Sequence, residues 1–222
     1  MLLFTMALPL MGGAALFLLR PKGRAVRGAL AVGTALCTTA MVAVCLFSPW
    51  AAPVTLPFFG ETMRFSFRLD GLGKVFAGLC AFLWPLATLY AVEYMERDDR
   101  QSSFFGWYLL SYGVTLGVAM SGNLLTLYLF YELLTFATLP LVLHGMSARS
   151  VRAGRKYVYY SLFGAALVFV GLVMILRYGD TSDFVYGGVL QSAQGSEDVL
   201  RLGYVLCFFG FGVKAAAFPL HG

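Results

Sequence analysis

The sequence predicts an all-α, polytopic transmembrane bundle of about seven spans, with a broken last helix and a small outer β-hairpin between the second and third spans. Three observations carry that prediction. Hydrophobic residues make up 59% of the 222-residue chain and charged residues only 12%, whereas soluble domains carry about 25% charged residues. The apolar residues are gathered into seven runs, each near the ~17 to 25 residues that cross a bilayer. Short clusters of Lys and Arg separate those runs.

The first span, Leu2 to Leu19, has no basic residue before it and no A-x-A site after it, so it is expected to persist as a helix and not to be cleaved as a signal peptide. Gly28 to Phe47 forms the second. Between Pro53 and Asp70 the apolar period changes to two, with Val54 and Leu56 on one side of Gly60-Glu61-Thr62 and Met63, Phe65 and Phe67 on the other, which is a hairpin pattern. The third to sixth spans are read at Leu72 to Val92, Phe104 to Met120, Leu124 to Leu143 and Tyr157 to Leu176. Pro85 and Pro140 are expected to kink the third and fifth, because each removes a backbone donor and crowds the carbonyl four residues earlier. Arg177 to Arg201 is an acidic loop rich in Gly and Ser, where Ser182 or Asp183 would cap a short helix over 184–190. Leu202 to Leu220 completes the set. Residues 1–222 then form a single membrane domain, with helices 1–3 and the hairpin in 1–103 and the opening of a second unit in 104–222.

Charge distribution orients the bundle. Ten Lys and Arg lie in the first, third and fifth loops, against Arg64, Arg68, Arg177 and Arg201 in the others, with Lys74 just inside the third span. The positive-inside rule therefore puts the N-terminus outside and the basic loops in the cytoplasm of a cell with this protein in its plasma membrane. The net charge of +5 is accounted for by these loops, and no basic and aromatic groove suggests nucleic acid. Cys37, Cys45, Cys80 and Cys207 all lie in apolar segments without a CxxC, and read as small core residues. Nothing marks a phosphate loop, a nucleophile with its base, or a metal site, and haem ligation by His144 and His221 lacks a pairing across spans. No cofactor is expected in this chain.

Chemistry concentrates at two positions. Glu132 and Lys214 are the ionisable residues deepest inside runs of spanning length. A charge at the bilayer centre costs at least about 2.5 to 3.5 kcal/mol by insertion scales, so such residues mark a functional site with mutual partners. Counting at ~1.5 Å per residue, Glu132 lies about 12 Å into its span and Lys214 about 18 Å into its own, both near the midplane. At matched depth burial disfavours both charges while pairing favours both, which makes protonation sensitive to their separation. Tyr128 and Tyr131 flank the carboxylate, and Tyr128, one turn earlier on the same face, could hydrogen-bond it. Gly210 and Gly212 before Lys214, and Pro219 after it, suggest an interrupted helix beside a hydrated cavity. His144 and His221 at the inner span ends, and Lys156 at the opening of the sixth span, are candidate relays. The alternative for the pair is a fixed ion pair that only sets helix packing.

The stretch Asn123-Leu-Leu-Thr-Leu-Tyr-Leu-Phe-Tyr-Glu132-Leu-Leu-Thr resembles the fifth-helix motif of the antiporter-like membrane subunits of respiratory NADH:quinone oxidoreductase, Mrp-type cation/proton antiporters and membrane-bound hydrogenases. Val213-Lys214-Ala-Ala-Ala-Phe-Pro219-Leu-His221-Gly222 resembles their broken seventh helix, and Leu69-Asp70-Gly71-Leu72 the opening of their third. Arg155-Lys156-Tyr157 is similar to the family's basic entry into the sixth helix. The resemblance implies that Glu132 and Lys214 are the paired residues of a proton half-channel, with water entering near Lys214. It also implies other membrane subunits as partners, with redox cofactors held in those. Family members carry about fourteen helices in two inverted repeats, so a chain ending at Gly222 is expected to be a fragment or half of a split subunit.

Two classes of function follow. One is a proton-translocating subunit, or part of one, in a redox-driven pump or multisubunit antiporter, not catalytic alone. The other is a non-transporting membrane scaffold in which the pair fixes helices. A small autonomous channel is a third reading, disfavoured because no pore-lining polar stripe is visible.

Overall fold

The computed structural model describes residues 1–48, 51–59, 63–179, 181–189 and 197–217. Seven helices occur in them: α1 (Leu2–Leu19), α2 (Arg24–Phe47), α3 (Gly71–Tyr94), α4 (Gln101–Ala119), α5 (Leu124–Val142), α6 (Ala148–Tyr178) and α7 (Glu197–Lys214). Strands β1 (Val54–Phe59) and β2 (Met63–Phe67) lie between α2 and α3.

Local chemistry fixes where three of the helices begin. The side chains of Asp70, Asn123 and Ser147 accept from the backbone N–H three residues on, at 2.8, 2.8 and 3.1 Å. Each cap fills one of the orphan donors of a first turn, worth about 1 kcal/mol. Ser147 explains a correction to the sequence reading. Hydropathy placed the sixth span at Tyr157, whereas α6 starts at Ala148 and carries Arg149, Arg152, Arg155 and Lys156 in its first turns. Arg and Lys are good helix formers, so the helix outruns its apolar part at that end. Likewise α7 begins at Glu197, with Glu197 and Asp198 in its first turn, where acidic side chains suit the positive end of the helix dipole.

Five of these helices, α1, α2, α3, α5 and α6, are long and apolar enough to cross a membrane. The other two are set apart by surroundings and charge. Helix α4 is buried around most of its circumference, including Ser111, Tyr112, Thr115 and three glycines, and a helix that faces protein can carry more polar residues than one that faces lipid. Helix α7 carries Glu197, Asp198, Arg201 and Lys214.

The core gathers Leu2 and Met6 from α1, Val42 and Cys45 from α2, Ala77 and Cys80 from α3, Tyr112 and Leu116 from α4 and Phe130 from α5. Phe67 of the hairpin enters the same cluster and meets Phe130 edge to face at 5.8 Å. The strands pair antiparallel with Val54 opposite Phe67 and Leu56 opposite Phe65, and the register slips between Pro57 and Phe59. The expected turn at Gly60-Glu61-Thr62 lies outside the described residues. Docking uses polar groups as well: the Ser66 N–H donates to Thr126 Oγ1 at 2.9 Å, and the Asn123 side chain donates to the Arg64 carbonyl at 2.7 Å.

Residues 181–189 are not helical, which corrects the expectation of a capped helix over 184–190 for all but its last residue. Asp183 instead bridges Asn123 and forms an ion pair with Arg64, so this segment closes over the hairpin end of the bundle. Helices α3 and α5 continue through Pro85 and Pro140.

The packing of α7 on α6 overturns the reading of Gly210 and Gly212 as a helix break. Both lie within continuous α7. A β-carbon at Gly210 would stand 2.7 Å from the Gly164 carbonyl oxygen, and one at Gly164 would stand 2.8 Å from that of Gly210. Gly210 and Gly164 are small because two backbones touch there. The chain leaves the helix after Lys214, where Ala216 takes a left-handed φ of 51°. Pro219 lies outside the described residues.

Candidate functional site

Helix α5 holds Glu132 in its middle, and α7 holds Lys214 at its last residue. Close contact of α7 with α6 and the Tyr131 contacts described below bring them together. Lys214 Nζ lies 3.6 Å from Glu132 Oε1, with side-chain exposures of 14% and 17%. That separation is an ion pair but too long for a hydrogen bond. Glu132 Oε1 is buried and has no hydrogen-bond partner among the described residues.

The ammonium finds its donor role elsewhere. Lys214 donates to the backbone carbonyl of Tyr131, and its nitrogen sits over the Tyr131 ring at 3.5 Å from the centroid. The Tyr131 hydroxyl in turn donates to the Gly210 carbonyl at 3.1 Å. Tyr131 therefore joins α5 to α7 and partly solvates the cation with neutral groups. Tyr128 has a different place, with its ring 5.9 Å from that of Phe169 on α6. Among the described residues no hydrogen bond joins Tyr128 to Glu132.

Lys214 also lines a cavity of about 550 Å³ between α5, α6 and α7, with Thr138, Lys156, Tyr157, Tyr160 and Ser161 on its wall. Lys156 lies two turns inside α6, not at its opening, and its ammonium stands 5.9 Å from the Tyr160 ring centroid. Thr138 and Tyr157 share a 2.7 Å hydrogen bond across the gap between α5 and α6. These two hydroxyl residues escaped the sequence reading. Their signal was weak, the second of two Thr after Glu132 on α5 and one Tyr among several near the start of α6.

His144 is not on that wall. Just past α5, its Nε2 lies 3.1 Å from Asp98 Oδ2, and its carbonyl accepts from the Arg100 guanidinium at 2.5 Å. A carboxylate only accepts, so Nε2 is the donor. The site joins the α3–α4 loop to the end of α5. The sequence reading missed Asp98 and Arg100, which pass for ordinary loop charges. His221 lies outside the described residues.

A helical bundle with several spans long and apolar enough to cross a membrane, and with a shielded acid and base side by side, defines the class: a polytopic membrane protein with an ion pair inside it. The comparisons narrow it. Residues 58–105 match the family model for the NADH-ubiquinone oxidoreductase (complex I) chain 5 N-terminus, and residues 121–222 match that for the NADH:quinone oxidoreductase/Mrp antiporter transmembrane region. The chain belongs to this family of antiporter-like membrane subunits.

The Na(+)/H(+) antiporter subunit A1 of Staphylococcus aureus is 28% identical over 169 residues, which is 75% of this chain and 21% of that protein. A chain of respiratory complex I from Thermus thermophilus superposes with a TM-score of 0.80 at 25% identity, over 100% of this chain and 45% of that one. A chain of the Mrp complex from a Dietzia species shares the fold with a TM-score of 0.85 at 15% identity, over 99% of this chain and 24% of that one. The chain thus spans about a fifth of the length of the curated relatives it matches and less than half of these structural relatives.

Proposed function

We propose that this chain works as part of a proton-translocating membrane subunit in a multisubunit redox-driven pump or cation/proton antiporter, with Glu132 controlling the protonation of Lys214. The observation that carries this reading is the 3.6 Å approach of Lys214 Nζ to Glu132 Oε1 between α5 and α7, beside a cavity lined by hydroxyl groups and a second lysine. At an effective dielectric of ~20 the attraction across such a gap is about 4 to 5 kcal/mol. Desolvation of each ion costs several kcal/mol, so attraction and desolvation oppose each other at the same order of magnitude. Such opposition is what a relay needs, because a small shift of either helix, or a charge arriving nearby, moves the proton on or off the lysine. The basic ends of α2 and α6 are assigned to the cytoplasm and the hairpin end to the outside of the cell membrane.

The test is Glu132→Gln in the whole protein within its own complex. Proton pumping into inverted vesicles is expected to fall by about 10-fold or more, while native electrophoresis shows the complex assembled as before. Wild-type pumping in the assembled variant would overturn the relay. Loss of assembly with normal flux in the remainder would instead mark the pair as a packing device.

A further inference from the structure

The hydrogen-bond directions beside Lys214 are determined by counting protons. Thr138 Oγ1 lies 2.7 Å from the carbonyl oxygen of Leu134 and 2.7 Å from the Tyr157 hydroxyl. A threonine hydroxyl has one proton, and a carbonyl can only accept. The Thr138 proton therefore goes to Leu134, and Thr138 can only accept from Tyr157. That commits the single proton of Tyr157 as well. On the cavity side the phenol oxygen is left as a fixed acceptor, in the same wall as Lys214, Lys156 and Ser161. At about 550 Å³ the cavity has room for several waters, each taking roughly 30 Å³, and although most of its wall is apolar, Tyr157, Ser161, Lys156 and Lys214 supply polar partners.

We propose that Tyr157, held by Thr138, is a positioning residue for the water that exchanges a proton with Lys214. This rests on the reading of Lys214 as the proton carrier. The ammonium of Lys214 gives a proton to a water whose own proton is directed at the Tyr157 oxygen, and that water passes the charge onward past Lys156 toward the basic end of the bundle. Nζ becomes neutral, one proton leaves through water, and Tyr157 neither gains nor loses its proton because Thr138 holds it. A freely rotating hydroxyl would do this less well, since it has first to be turned so that its oxygen accepts, whereas the Tyr157 oxygen is already set that way.

The experiment uses the whole protein in its complex, in vesicles, with Thr138→Val, Thr138→Ser and Tyr157→Phe beside Glu132→Gln. Valine keeps the shape of threonine without the hydroxyl, and serine keeps the hydroxyl. T138V and Y157F are each expected to slow pumping roughly 3- to 10-fold, the weight of one hydrogen bond. Both should also raise the solvent deuterium isotope effect on flux, which a packing defect does not do. T138S should pump as wild type, and the T138V/Y157F double variant should be no slower than Y157F. The inference is overturned if T138V and Y157F keep the wild-type rate and isotope effect, or if T138S loses as much as T138V. If Glu132→Gln cuts pumping while these variants do not, this inference fails alone. If Glu132→Gln changes nothing, the reading beneath it fails.

Discussion

At the scale of single residues, Tyr131 does more than its neighbours in sequence suggested. Its ring lies beneath the Lys214 ammonium, its carbonyl accepts from it, its hydroxyl reaches the Gly210 carbonyl and its edge meets the Phe211 ring at 5.0 Å. These contacts separate by substitution. Tyr131→Phe removes only the hydroxyl, and about 0.5 to 1.5 kcal/mol is expected to go with that hydrogen bond. Tyr131→Leu also removes the ring under the cation, a further ~1 to 2 kcal/mol for a desolvated pair. Thermal unfolding in detergent should order wild type above Y131F and Y131F above Y131L; equal midpoints would mean that Tyr131 carries no weight in joining α5 to α7. Glu132 and Lys214 were legible because a charge in an apolar run stands out against its background. Choosing Tyr131 over Tyr128 was not, since that depends on which face of α5 meets α7, and a sequence gives spacing along a helix but not the azimuth of its neighbour.

At the scale of elements, the basic-loop end is tied by Asp98 and His144. A little burial pushes the Asp98 carboxyl up, but the N–H of Arg100, the hydrogen bond from His144 and their positive charges outweigh it and hold the group below its ordinary range. A carboxyl lowered in the folded state adds stability above its unfolded value, near ~4, and loses it as pH falls through the folded value. Asp98→Asn is therefore expected to lower the melting midpoint at neutral pH by a few degrees at most, the group being partly exposed. The gap between variant and wild type should close only in acid below the ordinary aspartate range. A gap that does not change with pH would assign the effect to shape and not to charge. The same elements show what hydropathy reads well. Among the described residues it found the seven helices, while the period of two found both strands. Hydropathy missed the starts of α2, α6 and α7, where charged residues such as Arg24, Arg149, Arg152 and Glu197 extend the helix beyond its apolar part, and it ran the seventh span past Lys214, where the helix ends although the chain stays apolar. Gly210 misled for a related reason: a glycine that allows two helices to touch looks, in sequence, the same as one that ends a helix.

At the scale of the whole molecule, the helices are unequally enclosed. Helix α4 is surrounded by α1, α2, α3 and α5, whereas α7 packs along α6 and reaches α5 through the residues around Tyr131. The pair therefore stands at a margin of the bundle, and Tyr204 and Phe208 on α7 are 65% and 61% exposed. Aromatic residues on that face are as well suited to another helix as to lipid, because van der Waals packing, and not a hydrophobic drive, joins helices within a bilayer. A charged pair is better kept from lipid by protein than left at an edge. The relatives of known structure include chains of respiratory complex I and of an Mrp complex, both assemblies of several subunits. On the reading proposed above, the protein carrying this chain is expected to leave its own membranes, in mild detergent, inside an assembly many times the mass of one copy. Mass spectrometry of that band should find other membrane subunits, and redox subunits among them would favour a pump over an antiporter. Recovery as one or a few copies alone, from membranes in which the rest of the complex is intact, would overturn the proposed place of this chain in a multisubunit complex.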